Sequence, residues 1–293
     1  MLTGCFTALA TPFDTTGAID TDAFAKLVEW QIAEGIHGLV PVGSTGEAAT
    51  MSLEERLTVV KLCVERAGGR VPVIAGAGGN DTRVAIETSK AMGSTGATHL
   101  LHVSPMYSKP PQRGILAHFR AVADASPLPI VVYNVPGRTA SNIEAETTLA
   151  LAEHKNIVAV KEASGNPAQI SEIIRHAPKD FSVLSGDDAI TLGVIAAGGQ
   201  GVVSVVSNVA PRPMADLCRR ALEGNMEAAR ALHLQLHALM GTAFCESNPI
   251  PVKAALAMMG RVKNQLRLPL VPMDSKHDAK LRASLVEAGA LAK

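Results

Sequence analysis

The sequence predicts an α/β protein, a (β/α)8 TIM barrel with a C-terminal helical extension. Three observations carry that expectation. Eight short apolar runs recur between Cys5 and Val209: "CFTALATPF", "GLVPVGST", "VPVIAGAG", "HLLHVSP", "PIVVYNVP", "IVAVKEAS", "FSVLSGDD" and "GVVSVVSNV". Their apolar residues are consecutive, not alternate, as in parallel strands buried on both faces beneath helices. After the eighth run the strand signal stops and only helical spacing remains. An eightfold count favours a closed barrel over an open sheet, and 293 residues hold a barrel of about 250 with residues to spare. No GxGxxG follows the first strand, which weighs against a dinucleotide fold.

Taken in order, the N-terminal "MLTGCFTALATPFD" has no basic n-region and reads as the first strand, not as a signal peptide. After the second strand, "SLEERLTVVKLCVERAGG" predicts a helix with Leu53, Leu57, Val60 and Val64 on one face. Ser52 with Glu55 three residues on is a capping box. Glycines close helices before the next strand at Gly35, Gly68-Gly69 and Gly198-Gly199. The tail reads as helices over "MEAARALHLQLHALMGTAF", "NPIPVKAALAMMG" and "SKHDAKLRASLVEAGA". The expected division is a catalytic barrel over 1–224 and a helical domain over 225–293. No low-complexity linker separates them, so the second is expected to pack on the first.

Composition narrows the class. Lys+Arg and Asp+Glu balance at 27 each and aromatics are only 3%, so neither field nor stacking platforms recruit nucleic acid. The apolar runs fall short of the roughly 18 residues that span a bilayer. Cys5, Cys63, Cys218 and Cys245 lie far apart without a CxxC and read as reduced, packed thiols of a cytoplasmic protein.

In barrels of this kind, chemistry sits at the C-terminal ends of the strands. The sixth strand raises the question there: "NIVAVKEASG" carries Lys161 into an apolar run, where lysine is seldom found. Snorkelling would explain it, and so would a catalytic amine. Ser44, Thr45, Tyr107, Tyr133 and Arg138 fall on the same rim, and Tyr107 and Tyr133 are the only tyrosines in the chain. An amine at that position can form an imine with a carbonyl substrate if it is neutral. At an unperturbed pKa of about 10.4 only about one in 2,500 is neutral at pH 7. Burial beside residues such as Val158 and Val160 would raise that fraction. A tyrosine and a serine or threonine hydroxyl can move the protons, and an arginine fork suits a carboxylate.

Competing groups read differently. Asp187 and Asp188 could bind a metal, but capping the helix that begins near Ala189 is preferred. His233 and His237 have i, i+4 zinc spacing without the glutamate of HExxH, so packing or surface roles are preferred and no metal is expected. "AGGQG" precedes the eighth strand and faces the wrong end for a phosphate site on the catalytic rim.

Through "TALATPF", "GSTGE", "YNVPGRT", "VKEASG", "LSGDD", "GVVSV" and "NPIPVK", nearly end to end, the chain resembles the dihydrodipicolinate synthase family of pyruvate-dependent class I aldolases. The resemblance implies a lyase of lysine and diaminopimelate biosynthesis with no cofactor, condensing pyruvate with L-aspartate 4-semialdehyde. It implies Lys161 as Schiff-base lysine and Tyr133 as general acid/base, relaying through Ser44 to Tyr107 of a neighbouring subunit. Thr45 and the backbone near Val203 would hold the pyruvate carboxylate, Gly186 would line the pocket, and Arg138 would bind the semialdehyde carboxylate. The family usually has threonine at 44; Ser44 keeps the hydroxyl and loses the stiffening β-branch. A homotetramer built from two tight dimers is implied too. Lysine-regulated relatives offer a hydroxyl at 48, histidine at 53 or 56, asparagine at 80, an acid at 84 and tyrosine at 106. This chain has Ala48, Leu53, Arg56, Asn80, Val84 and Met106, which implies weak or absent lysine inhibition. A sugar-acid aldolase is the nearest rival, with a PLP enzyme or a non-catalytic ligand sensor further off.

Overall fold

The computed structural model describes residues 1–292. Its strands are β1 (Gly4–Ala8), β2 (Gly38–Val40), β3 (Ile74–Gly76), β4 (His99–Val103), β5 (Ile130–Asn134), β6 (Ile157–Glu162), β7 (Ser182–Ser185) and β8 (Gly201–Ser204). They pair in parallel in the order β2-β1-β8-β7-β6-β5-β4-β3. A parallel bridge between Leu39 and Val73 closes the ring, with Leu39 N donating to Pro72 O at 3.0 Å. This is the eight-stranded barrel that the run count predicts. Where β8 crosses β1 the backbones touch: a Cβ on Gly201 would lie 1.9 Å from Gly4 O, so only glycine fits.

Helices cover the outside: α1 (Thr21–Ala33), α2 (Leu53–Ala67), α3 (Thr82–Gly93), α4 (Gln112–Ala125), the short α5 (Pro136–Thr139), α6 (Ala145–Ala152), α7 (Pro167–His176), α8 (Thr191–Ala196) and α9 (Pro211–Leu222). The strands are buried on both faces, which is why they read as continuous apolar runs. Phe6, Val40, Ile74, Leu101, Val131, Leu184 and Val203 fill the barrel, while outward residues such as Val132 and Val160 pack under the helices with Ile115 and Phe119.

The capping box forms as expected: Glu55 N donates to Ser52 Oγ at 3.2 Å and Ser52 N to Glu55 Oε2 at 2.9 Å. The buried face of α2 differs from expectation. Val59, Val60, Cys63 and Ala67 face the core, whereas Leu53 is exposed and Leu57 and Val64 lie at the flank. At 100° per residue the true stripe is turned by roughly 75° from the one containing Leu53.

The extension comprises α10 (Met226–Thr242), α11 (Ile250–Met258) and α12 (Asp278–Glu287). Polar bonds tie it to the loop after β2. Lys253 Nζ lies 2.5 Å from Glu47 Oε1, both side chains fully buried. Arg267 donates its backbone N–H to Glu47 Oε2 at 3.1 Å and pairs with Glu55 at 2.5 Å. No helix among the described residues is long and apolar enough to cross a membrane.

Candidate active site

Register alone puts Lys161 at the centre of the rim. It stands next to last on β6, between Tyr133 of β5 and Leu184 of β7. The pleat turns its side chain inward with Ala159, and turns Val160 outward to the helix layer, so Val160 does not desolvate the amine as expected. Lys161 is 5% exposed, and its Nζ lies 4.1 Å from the centroid of the Tyr133 ring. Gly186 borders the same stem: a Cβ there would meet Ala163 Cβ at 2.7 Å and Lys161 Cγ at 3.1 Å.

Burial brings the Lys161 amine down from its ordinary value to about 7. The nearby Asp188 carboxylate works against that shift, and the Arg138 cation adds to it. About half of the amines are then neutral at pH 7. Burial moves the Tyr133 phenol the other way, to about 12, with Arg138 partly offsetting it. A protonated phenol beside an amine that sheds its proton near neutrality is the complement that imine formation needs.

Above them opens a cavity of about 480 Å³ whose walls include Ser44, Tyr133, Arg138, Met106, Arg56 and Asn248. The turn after β2 supplies Ser44, which is exposed, and Thr45, which is buried. Val42 (φ 51°) and Glu47 (φ 55°) bracket that turn in left-handed backbone that neither residue type favours, a strain held in place by the buried Glu47–Lys253 pair. Arg138 lies on α5, with Nη2 donating to Asn248 O at 3.3 Å. Val203, buried in β8 against Phe6, presents its backbone near the rim.

Tyr107 stands apart. It is 91% exposed, with φ at 70°, and its hydroxyl makes no hydrogen bond to Ser44 or Tyr133 of its own chain. Of the aspartates, Asp187 caps as expected, accepting from Ala189 N at 2.9 Å. Asp188 does not cap: it is buried, and its Oδ2 accepts from Val205 N at 3.0 Å and Val206 N at 3.1 Å, bracing the chain beyond β8. His233 and His237 have ring centroids 5.9 Å apart on α10, and no group of three or more metal-ligating side chains gathers among the described residues. Sequence reasoning missed Asn248 and Glu47–Lys253, although "NPIPVK" and "GSTGE" contain them.

A deep barrel with a buried lysine whose amine is readily deprotonated, a protonated tyrosine and an arginine at the mouth has the make-up of an imine-forming enzyme for acidic carbonyl compounds. The chain belongs to the dihydrodipicolinate synthetase family, whose model matches residues 1–288. It is 51% identical to the 4-hydroxy-tetrahydrodipicolinate synthase of Koribacter versatilis over 99% of this chain and 97% of that one. Identity to the same enzyme of Maridesulfovibrio salexigens is 49%, over 98% of each chain. The structure superimposes with a TM-score of 0.97 on the chloride-inhibited dihydrodipicolinate synthase of Acinetobacter baumannii complexed with pyruvate, at 40% identity over 99% of this chain and 100% of that one.

Proposed function

We propose that the chain is a lyase that condenses pyruvate with L-aspartate 4-semialdehyde to 4-hydroxy-tetrahydrodipicolinate. The observation that carries this reading is the buried Lys161 amine, 4.1 Å from the Tyr133 ring centroid, inside a family named for that reaction.

The neutral Nζ attacks the pyruvate keto carbon, and the oxygen of the resulting carbinolamine leaves as water after protonation by Tyr133. Loss of a methyl proton from the iminium gives an enamine. Its carbon adds to the aldehyde of the semialdehyde, whose oxygen takes up a proton. The amino group of the semialdehyde then attacks the imine carbon, closing the ring and releasing Lys161 as the free amine. Ser44 passes protons between Tyr133 and the Tyr107 of a neighbouring subunit. Thr45 and the backbone at Val203 hold the pyruvate carboxylate beside Gly186, and Arg138 receives the semialdehyde carboxylate through charge-assisted hydrogen bonds. The exposed, left-handed Tyr107 supports a homodimeric unit as the minimum active form, paired further into a tetramer, in the cytoplasm.

Borohydride reduction with pyruvate, followed by peptide mass mapping, tests the reading. The expected adduct is on the Lys161 peptide, and Lys161→Ala should lose nearly all activity. An adduct on another lysine, or an active Lys161→Ala, overturns it.

A further inference from the structure

We infer that Asn248 is a positioning residue which aims the Thr45 hydroxyl at the pyruvate carboxylate, so that the C-terminal extension sets pyruvate affinity. The inference rests on the reading above. Asn248 lies on the segment joining α10 to α11, is 5% exposed, and lines the cavity beside Arg138. Its Nδ2 donates to Thr45 Oγ1 at 2.9 Å. A hydroxyl has one proton and two lone pairs. With a lone pair occupied by the amide N–H, the threonine proton stays free to donate, and the polarised hydroxyl is a better donor for it. An acceptor in the place of Nδ2 would capture that proton and turn Thr45 away from an anion.

The two halves of Asn248 act on different groups. Its side chain engages Thr45, while its backbone carbonyl accepts from Arg138. Its own Oδ1 is buried without a partner, so the only hydrogen bond the side chain makes is the one to Thr45. Buried amide oxygens are seldom left unpaired unless the group serves a purpose. The segment is pinned from both sides, by Ile250 N donating to Ser247 O at 2.9 Å and by the Lys253–Glu47 pair one turn into α11. Glu47 belongs to the same turn as Thr45, so donor and acceptor are braced by one buried contact.

Side-chain variants therefore separate the two substrates. Asn248→Ala loses the N–H but keeps the carbonyl for Arg138. Its KM for pyruvate should rise about tenfold, with kcat and the KM for the semialdehyde within about threefold of wild type. Asn248→Asp is isosteric but replaces the donor by an anionic acceptor. Its KM for pyruvate should rise on the order of 100-fold, and the excess over Asn248→Ala should shrink as the pH is lowered. In a Thr45→Val background, Asn248→Ala should add less than about twofold. Wild-type trapping of pyruvate on Lys161 is measured first, so a failure of the synthase reading shows there without any substitution. With trapping intact, three results each overturn the role of Asn248: equal damage to both KM values, Asn248→Asp no worse than Asn248→Ala, or full additivity with Thr45→Val.

Discussion

Replacing Lys161 by methionine should stabilise the protein at neutral pH while abolishing its reaction. The amine titrates at about 7 when folded, against 10.5 in the open chain. Because the folded value is the lower one, the unfolded chain holds a proton that the folded chain sheds. That preference penalises folding in full below pH 7 and fades as pH rises toward 10.5. At 1.36 kcal/mol per unit, the penalty is about 4 kcal/mol at pH 7 and about 1 kcal/mol at pH 10, as upper bounds. Methionine has nearly the same length and fits among Tyr133, Leu184 and Ala159 without a proton to lose. Its packing adds only a pH-independent offset.

The assay is urea or thermal unfolding of wild type and Lys161→Met at both pH values. At pH 7 the variant should melt higher, by roughly 2–4 °C per kcal/mol. Most of that gain should be gone by pH 10, where wild type recovers. A variant less stable than wild type at pH 7 and pH 10 by the same amount would show that burial does not hold this amine neutral. In the role proposed for Lys161, catalysis would be drawn from stability, as is common where a site needs a group in an adverse environment.

The remaining expectations concern substrate, assembly and regulation. Arg138→Ala should lower kcat/KM for the semialdehyde by about 30- to 1,000-fold while leaving borohydride trapping of pyruvate within about threefold; equal loss in both half-reactions would make Arg138 structural. Mixing Tyr107→Phe with Lys161→Ala subunits should restore activity, since each mixed dimer then has one site with both residues intact. Verified mixed dimers that stay inactive would place Tyr107 in its own chain's site, against its 91% exposure. Lysine should inhibit poorly: Val84 offers no acid, Arg56 repels ammonium groups, and the Oδ1 of Asn80 already accepts from Met106 N at 2.8 Å. Half-inhibition below about 1 mM in a titration at saturating pyruvate, checked by calorimetry, would mean that other residues rebuild the pocket.

The barrel was legible because burial on both faces writes each strand as an unbroken apolar run. Lys161 was legible because it interrupts one. What stayed hidden has physical reasons. The helix α2 is apolar over more than one stripe, and periodicity alone chose Leu53 and Leu57 over Val59 and Cys63, which the barrel wall selects. The pleat separates Val160 from Lys161, though they adjoin in sequence. Asp188 looks like a second cap beside Asp187, and only the approach of β8 gives it Val205 and Val206 to hold. Asn248 stands more than 200 positions from its partner Thr45, so no local pattern could announce the bond.

Two lysines are buried among the described residues, and burial alone does not make a lysine reactive. Desolvation lowers both amines. Lys253 has a carboxylate at 2.5 Å, whose own second oxygen is held by Arg267 N, and it lies over the Phe13 ring at 4.3 Å. Glu47 opposes the desolvation and the nearby Arg267 cation that lower this amine, and the pair acts as a brace for the turn after β2. Lys161 also lies over an aromatic ring, at 4.1 Å, but no carboxylate bonds to it, and Asp188 spends its bonds on the backbone beyond β8. The proton there has little to hold it. In one sequence both residues read simply as lysine among apolar neighbours, at "VAVKEA" and "PVKAAL". Whether such a residue is held as an anchor or left free to serve as the nucleophile proposed for Lys161 turns on one bonded carboxylate, supplied to Lys253 by Glu47 from the far end of the chain and withheld from Lys161.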